Sequence, residues 1–161
     1  MSASLNFKKA ISYFQKSDFS RCLKICKKIL GINPNFLDAY VLGAQASLAL
    51  GQNKQTEKLL LKAAGIQPEN AIVRRNLGIF FSQMQRQQDA DLAFQKSLEL
   101  GPKDVQTHYC YAVHLDDSHR PREASERFLA ASEISPENPD IWTGLARAQR
   151  SLGQFDAARE S

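Results

Sequence analysis

No apolar run in this chain approaches the roughly 18–20 residues needed to cross a bilayer, so a membrane span is not expected. The opening MSASLNFKKAISYF lacks a continuous apolar stretch followed by a small-residue cleavage site, and does not read as a secretory signal. Cysteine is scarce. The three present cannot all pair within one chain, and nothing in their placement suggests an oxidised framework. A reducing, cytoplasmic setting is the simplest expectation. Glycine-rich phosphate loops are missing, and no Ser-His-Asp or Cys-His grouping falls on a turn that would expose a nucleophile. Neither catalysis nor a cofactor is therefore expected. An apolar fraction of 43% and a charged fraction of 24% are those of an ordinary folded domain, which sets aside disordered and collagen-like chains.

What the chain does have is a period. Pro34, Pro68, Pro102 and Pro136 stand 34 residues apart. Proline inside a helix costs about 3 kcal/mol, so each marks a place where a helix cannot continue. Ile32, Ile66, Leu100 and Ile134 precede these prolines, and Asn70, Asp104 and Asn138 follow three of them as candidate helix caps. Small residues keep the same spacing in two series: Ala10, Ala44, Gly78, Ala112, Ala146; and Cys22, Thr56, Ala90, Ala124, Ala158. Small side chains let two helices approach closely, so one series belongs to each helix of a hairpin. Cys26, Leu60, Phe94 and Phe128 supply the larger core residue. Break signals fall mid-unit at Ser17-Asp18, Gly51-Gln52, Gln85-Arg86, His119-Arg120-Pro121 and Gly153-Gln154. Every unit reads as helix, short turn and second helix.

This pattern resembles the tetratricopeptide repeat: an aromatic, Leu-Gly or Leu-Ala, then Tyr, Ala, Phe, Ala and Pro. The last unit shows it as Trp142, Leu145, Ala146, Gly153, Phe155 and Ala158. The second shows Tyr40, Gly43, Ala44, Gly51, Leu60, Ala63 and Pro68; the third Leu77, Gly78, Phe81, Ala90, Phe94 and Pro102. The fourth shows Tyr111, Ala112, Ala124, Phe128, Ala131 and Pro136, while the first is degenerate, with Asn6 and Lys9 at signature places. The resemblance covers essentially the whole chain and implies an all-α, right-handed superhelical solenoid of antiparallel helix pairs. The expected units are 3–36, 37–70, 71–104, 105–138 and an incomplete 139–161. Since one hairpin cannot bury its own apolar face, stability must come from stacking. The incomplete unit is expected to leave apolar surface bare, either because the chain is a fragment or because another subunit packs there.

Residues that look chemical mostly read as framework. Cys22 and Cys26 share a helical face at metal-ligand spacing but occupy the core places of the repeat, with no further ligand in their hairpin. His108, Cys110 and His114 cluster on one helix, yet His108 stands where the family has an aromatic. No metal site is expected. Residues 1–34 carry Lys8, Lys9, Lys16, Arg21, Lys24, Lys27 and Lys28 against Asp18 alone, beneath a net charge of +4. The basic residues of the second helix fall on the outer face and do not continue into later units, so nucleic acid is not the expected partner.

The resemblance instead implies a concave groove lined by the first helix of each unit. Carried onto this sequence, its candidate partner-binding residues are Phe7, Ile11, Val41, Gln45, Arg75, Ile79, Tyr109, Val113, Asp116 and Arg147. Phe14, Leu48, Ile72, Ser82, Gln83, Gln106, Asp117, Asp140, Thr143 and Arg150 hold neighbouring inner positions. The groove should run from apolar and aromatic to mixed charge, which suits a peptide or helix with a hydrophobic segment. A chaperone-tail clamp of lysine, asparagine and arginine is not expected, because Phe7 and Ile11, or Val41 and Gln45, fill its first places and Cys110 its last. The expected role is a scaffold or adaptor. The alternatives are an accessory region of a larger enzyme, such as a glycosyltransferase or sulfotransferase, and a homo-oligomer formed through the C-terminal end.

Overall fold

The computed structural model describes residues 3–160, with side chains as far as Gly153. Among them the elements are helices alone: α1 (Ala3–Gln15), α2 (Phe19–Ile32), α3 (Leu37–Ala49), α4 (Asn53–Ile66), α5 (Ala71–Gln83), α6 (Gln87–Leu100), α7 (Val105–Asp117), α8 (Pro121–Ile134) and α9 (Pro139–Glu160). The first helices begin at 3, 37, 71, 105 and 139, one sequence period apart. Consecutive helices pack as hairpins, and the first helices of successive units also touch, which generates a stacked helical-repeat array.

The boundary chemistry works as its residue types require. Asn70 caps α5 by accepting from the Val73 N–H at 3.1 Å, and Asp104 caps α7 by accepting from Gln106 at 3.2 Å. Asn138 accepts from Asp140 at 3.0 Å. Within the hairpins, Ser17, Gly51, Gln85 and His119 take left-handed backbone, with φ between 57° and 68°. Only Gly51 does so without a Cβ penalty; at the other three the folded hairpin imposes the turn.

A further device recurs at the start of three units. The side chains of Arg74, His108 and Trp142 each donate to the carbonyl of the proline six residues earlier: Pro68 at 3.0 Å, Pro102 at 2.8 Å and Pro136 at 2.7 Å. The contact fixes the His108 tautomer, since a carbonyl only accepts and the proton must sit on Nε2.

Apart from the exposed Ala146, both small-residue series are buried where described. Ala10, Cys22, Ala90, Ala112 and Ala124 have no exposure, and the Cys22 and Cys26 thiols lie inside the core. Burial pushes the pKa of both thiols up, so they stay protonated and act as small apolar groups. Gly78 marks the closest helix approach in its hairpin, since a Cβ there would meet the Phe94 ring at 2.7 Å.

Charged residues stitch units together in register. Arg86 Nη1 meets Glu57 at 2.8 Å while its Nε holds Asp89 at 2.7 Å. One period later Arg120 Nη1 meets Asp91 at 2.6 Å and its Nη2 holds Glu123 at 2.6 Å.

The last unit departs from expectation. The turn anticipated at Gly153-Gln154 is not formed, and α9 continues as one helix through Gly153. Continuing the helix retains its backbone hydrogen bonds at a cost of about 1 kcal/mol for the glycine. Phe155 and Ala158, assigned to that second helix, lie outside the described side chains.

Candidate functional site

The first helices line a trough built from three adjoining cavities. One, of about 290 Å³, is walled by Phe7, Ile11, Leu37, Val41, Leu42 and Ile72, with Gln45 at its inner end. The next, about 270 Å³, runs from Gln45 and Leu48 over Asn76 to Ile79 and Gln83. The third, about 220 Å³, continues from Ile79 and Gln83 to Ser82, Tyr109, Val113 and Asp117. Shared walls at Gln45, Ile79 and Gln83 make the trough continuous across four units.

Its character changes along its length. At the N-terminal end Phe7 packs on Phe36 with ring centroids 5.2 Å apart, and Ile11 keeps a third of its surface exposed. In the middle, Gln45 Nε2 donates to Asn76 Oδ1 at 3.0 Å, and Asn76 Nδ2 donates to the Ile72 carbonyl at 2.7 Å. This pair orients two amides on the trough floor. Further along Tyr109 leans edge-on against Phe128 at 5.9 Å.

Phe7, Ile11, Val41, Gln45, Ile79, Tyr109 and Val113 thus come together along one surface. The three charged candidates are engaged in pairs that join units. Arg75 Nη1 holds Asp104 at 2.5 Å, and Arg147 Nε holds Asp116 at 2.6 Å. Burial works to raise the Asp104 pKa, but hydrogen bonds from Thr107 and the charge of Arg75 hold it below the usual carboxylate value. Arg75 therefore braces the residue that caps α7.

The structure also assembles a line that the sequence did not announce. Ser82 Oγ lies 2.8 Å from His114 Nδ1, and His114 Nε2 faces Asp91 Oδ1 at 3.6 Å. A carboxylate can only accept, so the proton belongs on Nε2 and Ser82 donates to Nδ1. Neither His114 Nε2 nor Asp91 Oδ1 has another partner within hydrogen-bond distance among the described residues. Burial lowers the His114 pKa, and Arg120 adds to this, while Asp91 and Asp117 oppose it. The order serine, histidine, aspartate imitates a nucleophile, base and acid. However, Ser82 sits in the last turn of α5, where a helix presents carbonyls rather than N–H groups. Negative charge developing there would meet the wrong end of the dipole, so the line serves packing and groove polarity rather than acyl transfer. Among the described residues no three His, Cys, Asp or Glu side chains converge as a metal site.

The described residues form a stacked helical-hairpin array with an open inner trough. Residues 115–161 match the tetratricopeptide repeat family model. Solved structures share the fold along nearly the whole chain. A thermophilic TPR protein of Thermus thermophilus superposes with a TM-score of 0.87 at 18% identity, covering 92% of this chain and 82% of that one. PilF of Pseudomonas aeruginosa gives 0.84 at 19% identity, over 98% of this chain and 72% of its own. The Cut9–Hcn1 hetero-tetramer of APC/C gives 0.86 at 21% identity, over 98% of this chain and 32% of that chain. The chain thus shares the fold of these helical-repeat structures, and its residues 115–161 carry the tetratricopeptide-repeat match. Among curated proteins it is 21% identical over 151 residues to Protein O-mannosyl-transferase TMTC1 of Homo sapiens, and spans 17% of that protein's length.

Proposed function

We propose that this array is a protein-interaction module whose trough takes an extended or helical segment of a partner. The observation that carries the reading is the unbroken trough itself, apolar at Phe7, Ile11 and Val41 and polar by Ser82, Gln83 and Asp117. Apolar anchors at one end supply affinity, and fixed amides and carboxylates along the rest set register and direction. The partner segment accordingly carries a hydrophobic stretch. Arg75, Asp116 and Arg147 shape the trough through their ion pairs, while Tyr109 and Val113 offer its second contact surface.

The test starts from a partner recovered on the immobilised array and measures its affinity by calorimetry. Ile11→Glu places a charge in the apolar cavity on a half-exposed side chain, and should weaken binding at least tenfold with an unchanged helical circular dichroism spectrum. Undiminished affinity in both Ile11→Glu and Val113→Glu would move the site off this face. A second reading is favoured by the TMTC1 similarity, which falls on a fraction of a much longer transferase. In that reading the array is an accessory region serving a catalytic domain. A coding sequence without a transferase domain adjoining the array would remove it.

A further inference from the structure

The trough sorts charge against the balance of the whole chain. Lysine and arginine number 21 against 17 acids in the sequence. Yet neither residue walls any of the three trough cavities, whose acids are Asp38 and Asp117. Two inner-helix arginines, Arg75 and Arg147, are neutralised by Asp104 and Asp116.

At its polar end the trough opens into a fourth cavity of about 560 Å³, bordered by Ser82, Gln83, His114, Asp117 and Ser118. Three features suit it to positive charge. First, α5 ends at Gln83 and α7 at Asp117, so both helices border the cavity with the negative end of their dipoles. Second, Asp117 is exposed and makes no ion pair among the described residues. Third, Ser82 offers the cavity lone pairs only. Its one proton goes to His114 Nδ1 at 2.8 Å, because Asp91, 3.6 Å from Nε2, keeps the imidazole proton on that nitrogen. The His114 side chain is only 2% exposed, so water does not compete for this orientation. A hydroxyl fixed in that sense accepts from a ligand and does not donate to it.

We propose that the segment taken by the trough is basic as well as apolar: a lysine or arginine side chain seats its cation in this cavity against Asp117 and Ser82 Oγ, while an apolar side chain fills the cavity of Phe7, Ile11 and Val41. The proposal rests on the trough being the binding face, and specifies the chemistry of its occupant. An acidic segment would meet Asp38, Asp117 and two helix C-termini, and is rejected by like charge. The two cavities lie two inner-helix spacings apart, about 16–20 Å at the usual 8–10 Å between packed helix axes. An extended chain covers that span in about five or six residues.

The test selects random peptides displayed on phage against the immobilised whole chain at low salt, then measures a synthetic copy of the enriched sequence by calorimetry. Enriched peptides should carry an aliphatic or aromatic residue and a lysine or arginine about five or six places apart. Asp117→Lys should weaken the peptide at least tenfold, and exchanging the peptide's basic residue for glutamate should restore most of that affinity. Recovery by charge exchange also shows that the variant is folded. Asp117→Asn should weaken binding several-fold and flatten its dependence on salt. Ile11→Glu, at the far end, reports on the trough itself. Peptides that lose affinity with Ile11→Glu but carry no basic residue, or bind Asp117→Lys undiminished, would overturn the cation site and leave the trough standing. Enrichment of acidic peptides would overturn it equally. If no peptide is enriched on the wild-type chain over the Ile11→Glu chain, the trough reading falls and the cation site with it.

Discussion

The first two units and the last three share one framework but are joined by different physics. Among the described residues no ion pair links the first hairpin to the second. Their seam is apolar, with Phe7 on Phe36 at 5.2 Å. From Glu57 onward every junction carries charge: Glu57–Arg86, Asp91–Arg120, Arg75–Asp104 and Asp116–Arg147. An apolar seam depends on area alone and is indifferent to salt or mild acid. A charged seam adds directional register, and its exposed pairs weaken as salt rises. One array thus combines a seam tuned by packing with seams tuned by solution conditions.

Four perturbations would break or sharpen that contrast. The largest effect should come from Phe94→Ala, whose fully buried ring packs between the third and fourth units against Gly78, Tyr111 and His114. The cavity should cost about 3–5 kcal/mol in urea unfolding, and a biphasic curve would show the array dividing at that charged junction rather than at the apolar seam. Next is Arg120→Ala, which strips Asp91 and Glu123 of their shared partner. With these groups a quarter to a half exposed, the loss should be about 1–2 kcal/mol, and smaller in 1 M salt; an equal loss at both salt levels would refute an electrostatic origin.

The third is acid. Burial makes His114 harder to protonate in the folded array than in the unfolded chain, whose reference value is 6.5. The unfolded chain therefore binds more protons below that pH, and stability falls as pH drops, by at most about 1.4 kcal/mol per unit. It should be fully regained at pH 7.5. His114→Gln should flatten the slope between pH 7 and 5, and a retained slope would assign it elsewhere. The smallest effect is expected of Glu57→Ala, whose pair with Arg86 is well exposed. It should shift stability by only a few tenths of a kcal/mol, so a loss above 1 kcal/mol would show the ionic seam to be stronger than its exposure suggests.

Helix starts, caps and the first four turns were legible in the sequence because one period governs them all. The trough was legible only through family resemblance, since its residues are those the period leaves free. The Ser82–His114–Asp91 line was not legible. Its members lie on three helices and meet only once two units have stacked. The recurrent ion pairs could have been read: an acid and an arginine 29 residues apart, at 57 and 86, recur one period later at 91 and 120. The turn at Gly153 was over-read, because a glycine permits a reversal without supplying the buried surface that stabilises one.

The hydrogen bond from Arg74, His108 and Trp142 to the preceding proline carbonyl has a consequence for how such arrays diverge. A guanidinium, an imidazole and an indole have no common shape, charge or hydropathy, yet each reaches the same acceptor with one N–H. Selection at this place acts on reach and on a single proton, so substitutions that look radical on a residue scale are neutral to the backbone they secure. Three units of this array therefore hold one backbone contact in common through three side chains that share nothing but that donor.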